Sequence, residues 1–349
     1  MTEKEIQLYD KQNMRKLILD FPTHIDLAIE IANKVTFPKF KKIISNIVIT
    51  GLGGSAIGGD LVRSYLSDEV KIPIFINRNY ILPNFVNENS LVIISSYSGN
   101  TEETISTHID ATKRKANIIC ISSNGKIFDL AKKYQQTFVE LPKGFPPRTA
   151  LAFSFFTILQ ILSRLEIVKS QTGKILETKN FLLQKSFSYS SLNEKKNLSL
   201  QIAKKIFKKI PIIYSATDKF DVVNLRWRGQ ICENSKQLAF GNLVPEMNHN
   251  ELVGWNLLKD KTKNFVVIYL KDKYDNPRVK LRMEVMEKII QKHSNIIQIQ
   301  SEGISDLTRI FSLIYLGDWI SFYLAILNKT NPTPVEVIDY LKSEIAKIN

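Results

Sequence analysis

The chain has 349 residues, 44% hydrophobic and 23% charged, which fits a globular protein of two domains at roughly 150 residues each. Its net charge of +14 comes from lysines that are scattered or in short pairs such as Lys204-Lys205, with no zinc-finger, homeodomain or RNP signature, so a nucleic-acid partner is not expected. Two cysteines, Cys120 and Cys232, both in apolar segments, exclude a disulfide framework and a cysteine-rich zinc site and fit a reducing, cytoplasmic setting.

The opening MTEKEIQLYDK is charged from its third residue and lacks the apolar run of a signal peptide. Helical periodicity follows through Ile6, Met14, Leu17, Ile18, Ile25, Leu27, Ile29 and Ile31. Strand and helix signals then alternate. Apolar β-branched runs at Asn46–Gly51, Ile72–Asn77, Leu91–Ser96, Asn117–Ser122 and Thr137–Leu141 predict strands. Helical segments are predicted near 55–67, 101–115 and 127–134, with a long apolar helix over 148–165.

Residues 166–198 are polar and helical in character. A second alternation follows: strands at Ile210–Ala216, Asn264–Leu270 and Asn295–Ser301, with helices over 221–236 and 278–293. The helices 306–328 and 335–347, split by Asn331-Pro332-Thr333-Pro334, finish the chain. Leu307–Leu327 is long and apolar enough to span a bilayer. Arg309 and Asp318 lie within it, and a charge at mid-bilayer costs about 2.5–3.5 kcal/mol, so a buried core helix is expected and no membrane. Such alternation predicts the α/β class: two αβα sandwiches with mainly parallel sheets. The expected division is 1–165 with the leading helices, a helical connection over 166–198, and 199–349.

Two loops carry chemistry. Leu91–Ser96 runs into Ser95-Ser96-Tyr97-Ser98-Gly99-Asn100-Thr101-Glu102-Glu103, where a helix begins. A phosphate dianion needs short donors converging near a helix amino terminus, and Ser96, Ser98 and Thr101 supply three hydroxyls there while Gly99 lets the backbone approach. Asn100 with Glu103 also reads as an ordinary helix cap. Capping leaves the hydroxyl cluster at the carboxyl end of a buried strand unexplained, so phosphate binding is the expectation.

The second loop, Gly51-Leu52-Gly53-Gly54-Ser55-Ala56, fits the dinucleotide pattern G-x-G-x-x-G/A. That pattern wants a carboxylate at the end of the next strand, and Ile76-Asn77-Arg78 has none; Arg78 would at best suit NADP. A smaller ligand suits both loops, with its sugar at Gly53, Gly54 and Ser55 and its phosphate at the serine loop.

The pairing of GLGGSAIGGD with SSYSGNTEET resembles the sugar isomerase (SIS) domain. With Pro147-Arg148-Thr149-Ala150, Arg228-Gly229-Gln230-Ile231-Cys232-Glu233-Asn234-Ser235-Lys236, Asn248-His249-Asn250-Glu251-Leu252-Val253-Gly254-Trp255 and the closing NPTPVEVIDYLK, the chain is similar to the bifunctional phosphoglucose/phosphomannose isomerase family over about 45–345. The resemblance implies a cofactor-free, metal-independent aldose–ketose isomerase that moves a proton between carbons 1 and 2 through a cis-enediol. It assigns the base to Glu233, ring opening to His249 with Lys342 reaching the sugar, and stabilisation of the enediolate to Arg148. It also implies a homodimer in which His249 comes from the neighbouring subunit.

Each role has an ordinary rival. Glu233 at helical spacing suits a surface pair with Lys236 or Gln237, Arg148 a carboxylate partner, and Lys342 a helix carboxyl terminus. His24, His108 and His293 need no function, and no two histidines fall at metal-ligand spacing. A non-catalytic sugar-phosphate sensor is the alternative; it would leave Glu233 and His249 idle, and no helix-turn-helix region precedes the sheet. An amino-sugar isomerase or synthase half would call for an amino-terminal glutamine-hydrolysing domain, and the sequence shows none.

Overall fold

The computed structural model describes residues 1–38, 40, 42–257, 259–345 and 347. The chain divides into two compact units. The N-terminal unit comprises Asp20–Phe181 with Ile304–Thr308, and the C-terminal unit comprises Met1–Leu19, Leu182–Gly303 and Arg309–Asn349. The leading residues therefore sit with the C-terminal unit, not ahead of the first sheet as expected. The reason is long-range pairing that local periodicity does not record. Arg15 Nη2 donates to the Ser190 carbonyl at 2.8 Å, and the Asn331 amide donates to Gln12 at 2.8 Å. Nor do residues 166–198 form a separate connection, since the division falls inside the helix Thr172–Tyr189.

In the N-terminal unit the strands are β1 (Asn46–Thr50), β2 (Ile74–Asn77), β3 (Ser90–Ser95), β4 (Asn117–Ser122) and β5 (Thr137–Glu140). They form one parallel sheet in the order β2-β1-β3-β4-β5. β1 and β3 are buried along their whole length, which is why they read as unbroken apolar runs with no alternation. Thr50 pairs with Ile94, so the loops that follow β1 and β3 leave the sheet side by side at its carboxyl edge.

In the C-terminal unit, β6 (Ile210–Ala216), β7 (Phe240–Val244), β8 (Phe265–Lys271) and β9 (Asn295–Gln300) form a second parallel sheet in the order β7-β6-β8-β9. The sequence predicts no strand at β7. Phe-Gly-Asn-Leu-Val mixes breakers with apolar residues and is mostly half-exposed, as befits a sheet edge. The core beneath is Tyr214, Val244, Met247, Trp255, Val267, Tyr269, Met283, Met286 and Ile290.

The apolar helix Asp306–Leu327 has 94% of its most hydrophobic window buried inside the protein. Its two internal charges are answered within the C-terminal unit. Asp318 accepts from Arg226 Nε at 3.1 Å, Arg226 Nη2 at 2.8 Å and Gln230 Nε2 at 2.8 Å, and Arg309 Nε donates to Asp272 at 2.9 Å. Burial drives the Asp318 carboxyl upward and the Arg226 guanidinium opposes it. Removing one member of such a pair strands the other charge and costs about 3–5 kcal/mol.

Candidate functional site

In the N-terminal unit the serine loop is built by its own hydrogen bonds. Ser96 Oγ donates to Thr101 Oγ1 at 3.2 Å, the Gly99 amide donates to the Ser96 carbonyl at 3.0 Å, and the Asn100 amide donates to Ser98 Oγ at 3.3 Å. Gly99 has φ +70°, and an added Cβ would collide with the carbonyl oxygen of Asn124, so only glycine lets the loop lie this flat. Ser96 is buried and Ser98 exposed, giving the loop one anchored and one open hydroxyl.

The expected Asn100–Glu103 cap does not form. The N-cap of the helix Glu102–Lys113 is Thr101, whose side chain makes no capping bond, and Asn100 Oδ1 instead accepts from the Lys126 amide at 3.0 Å. A tertiary contact to the next helix thus outcompetes the local one. Its consequence is a helix amino terminus whose first N–H groups have no side-chain cap, beside three hydroxyls. An anion is the group that satisfies both.

The glycine loop abuts it directly, because the Tyr97 amide donates to Ser55 Oγ at 3.1 Å. The helix Gly53–Tyr65 likewise has no side-chain cap at Leu52. A Cβ on Gly54 would lie 2.5 Å from the Pro147 carbonyl oxygen, so Gly54 brings the short 3-10 turn Pro147–Thr149 against the loop. Arg148 is the middle residue of that turn and is buried, 5% exposed. The structure therefore gathers Gly53, Gly54, Ser55, Ser96, Ser98, Thr101 and Arg148 at one edge of the first sheet. Buried Arg148 thus stands beside two helix amino termini that have no side-chain cap.

In the C-terminal unit Glu233 lies near the end of the helix Asp221–Ser235, one turn beyond Gln230. That helix is fastened to the Asp306–Leu327 helix by the Arg226 and Gln230 bonds to Asp318. Trp227 Nε1 to the Leu313 carbonyl (2.8 Å), Asn234 to Ser321 Oγ (2.9 Å) and Ser235 Oγ to the Ser321 carbonyl (2.8 Å) fasten it further. Lys236, in the left-handed region at φ 53°, folds its ammonium back onto the Glu233 carbonyl at 2.7 Å and the Pro332 carbonyl at 3.2 Å. The lysine thus caps the backbone at Glu233.

Glu233 borders a cavity of about 500 Å³ with Cys232, Leu238, Asn331, Val335 and Val337 among its walls. Lys342 is exposed on the helix Glu336–Ile345 and is not among the lining residues, although Glu336, Val337 and Ile338 of the same helix are.

His249 is exposed at the end of the 3-10 turn Glu246–His249 that follows β7. The next residues pin this turn to the sheet. Tyr214 Oη hydrogen-bonds the Glu251 carboxylate, Asn242 Nδ2 donates to the other Glu251 oxygen at 2.8 Å, and Trp255 Nε1 donates to Tyr214 Oη at 3.1 Å. Glu233 and His249 are not brought together within this unit. The Asp221–Ser235 helix runs back from the carboxyl end of β6, so Glu233 lies at the edge where strands begin and His249 where they end. A five-residue strand sets those edges roughly 17 Å apart.

Among the described residues, no three His, Cys, Asp or Glu side chains are grouped so as to hold a metal ion. Sequence reasoning notices Asp318 as a charge in an apolar helix but not that it holds the Glu233 helix. It misses Tyr97 altogether, for which the only signal is an aromatic residue set between hydroxyls.

Residues 195–345 match the family described as the bacterial phospho-glucose isomerase C-terminal SIS domain. A bifunctional phosphoglucose/phosphomannose isomerase of Caldicellulosiruptor bescii is 41% identical over 96% of this chain and 99% of its own. Its counterpart in Aquifex aeolicus is 38% identical over 86% of this chain and 90% of its own. A solved structure of a hypothetical protein from Thermus thermophilus shares the fold, with a TM-score of 0.77, 11% identity, and coverage of 99% of this chain and 92% of that one. With two parallel sheets in an α/β fold and this identity over nearly its whole length, the chain belongs to the bifunctional phosphoglucose/phosphomannose isomerase family and is an isomerase.

Proposed function

We propose that the protein interconverts glucose 6-phosphate and mannose 6-phosphate with fructose 6-phosphate through a cis-enediol, with no metal in the scheme. The observation that carries the reading is the serine loop, whose three hydroxyls stand at a helix amino terminus with no side-chain cap beside buried Arg148. The phosphate is held by Ser96, Ser98 and Thr101, and sugar hydroxyls meet Gly53, Gly54 and Ser55. Glu233 takes the proton from carbon 2 of the opened aldose and returns it to carbon 1. Arg148 offsets the charge of the enediolate, an electrostatic task for a fixed cation. His249 exchanges the ring-oxygen and hydroxyl protons during opening, with Lys342 assisting. The enediol has no configuration at carbon 2, so one base serves both epimers.

The active form is a homodimer in which His249 of one chain completes the site of the other. The separation of Glu233 and His249 across the second sheet supports this. Coupled assays of the purified protein with each hexose 6-phosphate test the reading. Turnover of both, surviving EDTA and dialysis, is expected. Turnover of neither would overturn it, and loss restored only by zinc or manganese would remove the metal-free scheme.

A further inference from the structure

Tyr97 lies inside the serine loop, yet its contacts reach well beyond it. Its amide donates to Ser55 Oγ in the glycine loop, and its carbonyl accepts from the Ser123 amide at 3.0 Å and from Ser123 Oγ at 2.7 Å. Its phenol is used twice, donating to the Pro142 carbonyl at 2.7 Å and accepting from the Phe145 amide at 2.9 Å. A phenol offers one donor and one acceptor position in such a bridge, and both are occupied by backbone groups three residues apart. The segment so bridged, 142–147, leads straight into Arg148.

The end of that segment is closed locally, the Pro146 carbonyl accepting from the Thr149 amide at 2.9 Å and from Thr149 Oγ1 at 2.9 Å, while its start is open. Lys143 and Gly144 are exposed, and Gly144 has φ +91°. The Phe145 ring rests edge-on against His24 at 4.9 Å and against Phe153 at 4.9 Å, and the Pro147 carbonyl meets Gly54. Between the ring contact and the glycine contact, the Tyr97 phenol joins this segment to the loop that carries Ser96 and Ser98.

We propose that Tyr97 is a positioning residue that sets Arg148 relative to the serine loop, fixing how far the guanidinium stands from the reacting carbons of a substrate whose phosphate the loop has gripped. The inference rests on the roles proposed above for the serine loop and Arg148. A misplacement of the order of 1 Å in a charge-stabilising group costs up to about a hundredfold in rate, whereas phosphate affinity depends on donors that Tyr97→Phe leaves in place. Tyr97→Phe keeps the ring and the backbone bonds to Ser55 and Ser123 and removes only the bridge.

The test uses two unreactive ligands on the full-length protein. A hexitol 6-phosphate presents the phosphate without an anion at carbons 1 and 2. A five-carbon aldonate 5-phosphate places a carboxylate where the enediolate would form. In Tyr97→Phe, the hexitol phosphate should bind within about twofold of wild type, while the aldonate phosphate weakens about tenfold and kcat falls by a similar factor. In an Arg148→Ala background, Tyr97→Phe should lower kcat no further, because the two act through one group.

Equal weakening of both ligands would overturn the inference by assigning Tyr97 to the phosphate grip, and so would additive loss in the double variant. Phe145→Ala, which loosens the same segment without touching the serine loop, should show the same split and carries the test if Tyr97→Phe does not fold. Unchanged aldonate affinity there would also overturn the inference. Wild-type protein that binds neither ligand would instead sink the proposed function.

Discussion

The loops that follow β3 and β8 occupy matching places in the two sheets, since each strand pairs with the first strand of its own sheet, and they differ in chemistry. After β3 the chain supplies hydroxyls, a left-handed glycine and a helix terminus with no side-chain cap. After β8 it supplies carboxylates: Asp275 accepts from the Asp272 amide at 2.8 Å, and Asp272 takes Arg309 and Ser301. The helix Pro277–Ile290 is closed by Asn276, whose side chain accepts from the Arg278 amide at 2.8 Å. The same topology thus yields one edge whose helix amino terminus has no side-chain cap and one that is satisfied by its own side chains. A parallel sheet offers helix termini at every carboxyl edge, and the residues at the cap decide which of them stay open.

The division of labour is broken most severely at Glu233. Glu233→Gln should abolish deuterium exchange at carbon 2, a loss on the order of 10²–10⁴-fold, with hexose 6-phosphate binding kept. Ser96→Ala and Ser98→Ala should behave oppositely, raising KM about tenfold for each charge-assisted bond lost, with a smaller loss at saturating substrate. Steady-state kinetics and isotope exchange on the same preparations separate the two patterns. Normal exchange in Glu233→Gln would remove that residue from the mechanism.

A second break exploits the distance between Glu233 and His249. Homodimers of Glu233→Gln and of His249→Ala should each be nearly inactive. In a mixed dimer with crossed sites, one site carries both changes and the other is intact. Refolding the two variants together in equal amounts should restore about a quarter of wild-type activity, since half the dimers are mixed. If both residues serve one chain's site, every site is damaged and nothing returns.

What the sequence disclosed follows from which interactions are local. The buried strands β1, β3, β4, β6 and β8 read clearly because β-branched runs suit a sheet covered on both faces. The serine loop is legible because hydroxyls and glycine cluster within six residues. Asn100 is misread because its true partner, the Lys126 amide, lies 26 residues away. β7 is hidden because an edge strand need not be apolar, and Met1–Leu19 is misplaced because its anchors at Ser190 and Asn331 are remote in sequence. Tyr97 escapes for the same reason: its bridge spans 45–48 residues.

The smallest effect sharpens the comparison from the other side. Burial pushes the Asp275 carboxyl up to about 6, against an ordinary 3.8, with the neighbouring Asp272 adding to the rise and the backbone bond, Lys280 and Arg309 opposing it. Below the ordinary value both folded and unfolded chains hold the proton. Between about 3.8 and about 6 only the folded chain holds it, so stability falls as pH rises through this window and stays lower above it. Asp275→Asn keeps an acceptor for the Asp272 amide and removes the charge. It should therefore stabilise the protein at pH 7.5 by about 1–2 kcal/mol and by little at pH 4, read as the shift in urea midpoint at each pH. KM for hexose 6-phosphate should not move, because a loop satisfied by its own side chains is not the one that meets the phosphate. A stability gain equal at both pH values would trace the effect to packing, and a raised KM would place the β8 loop in the binding site after all.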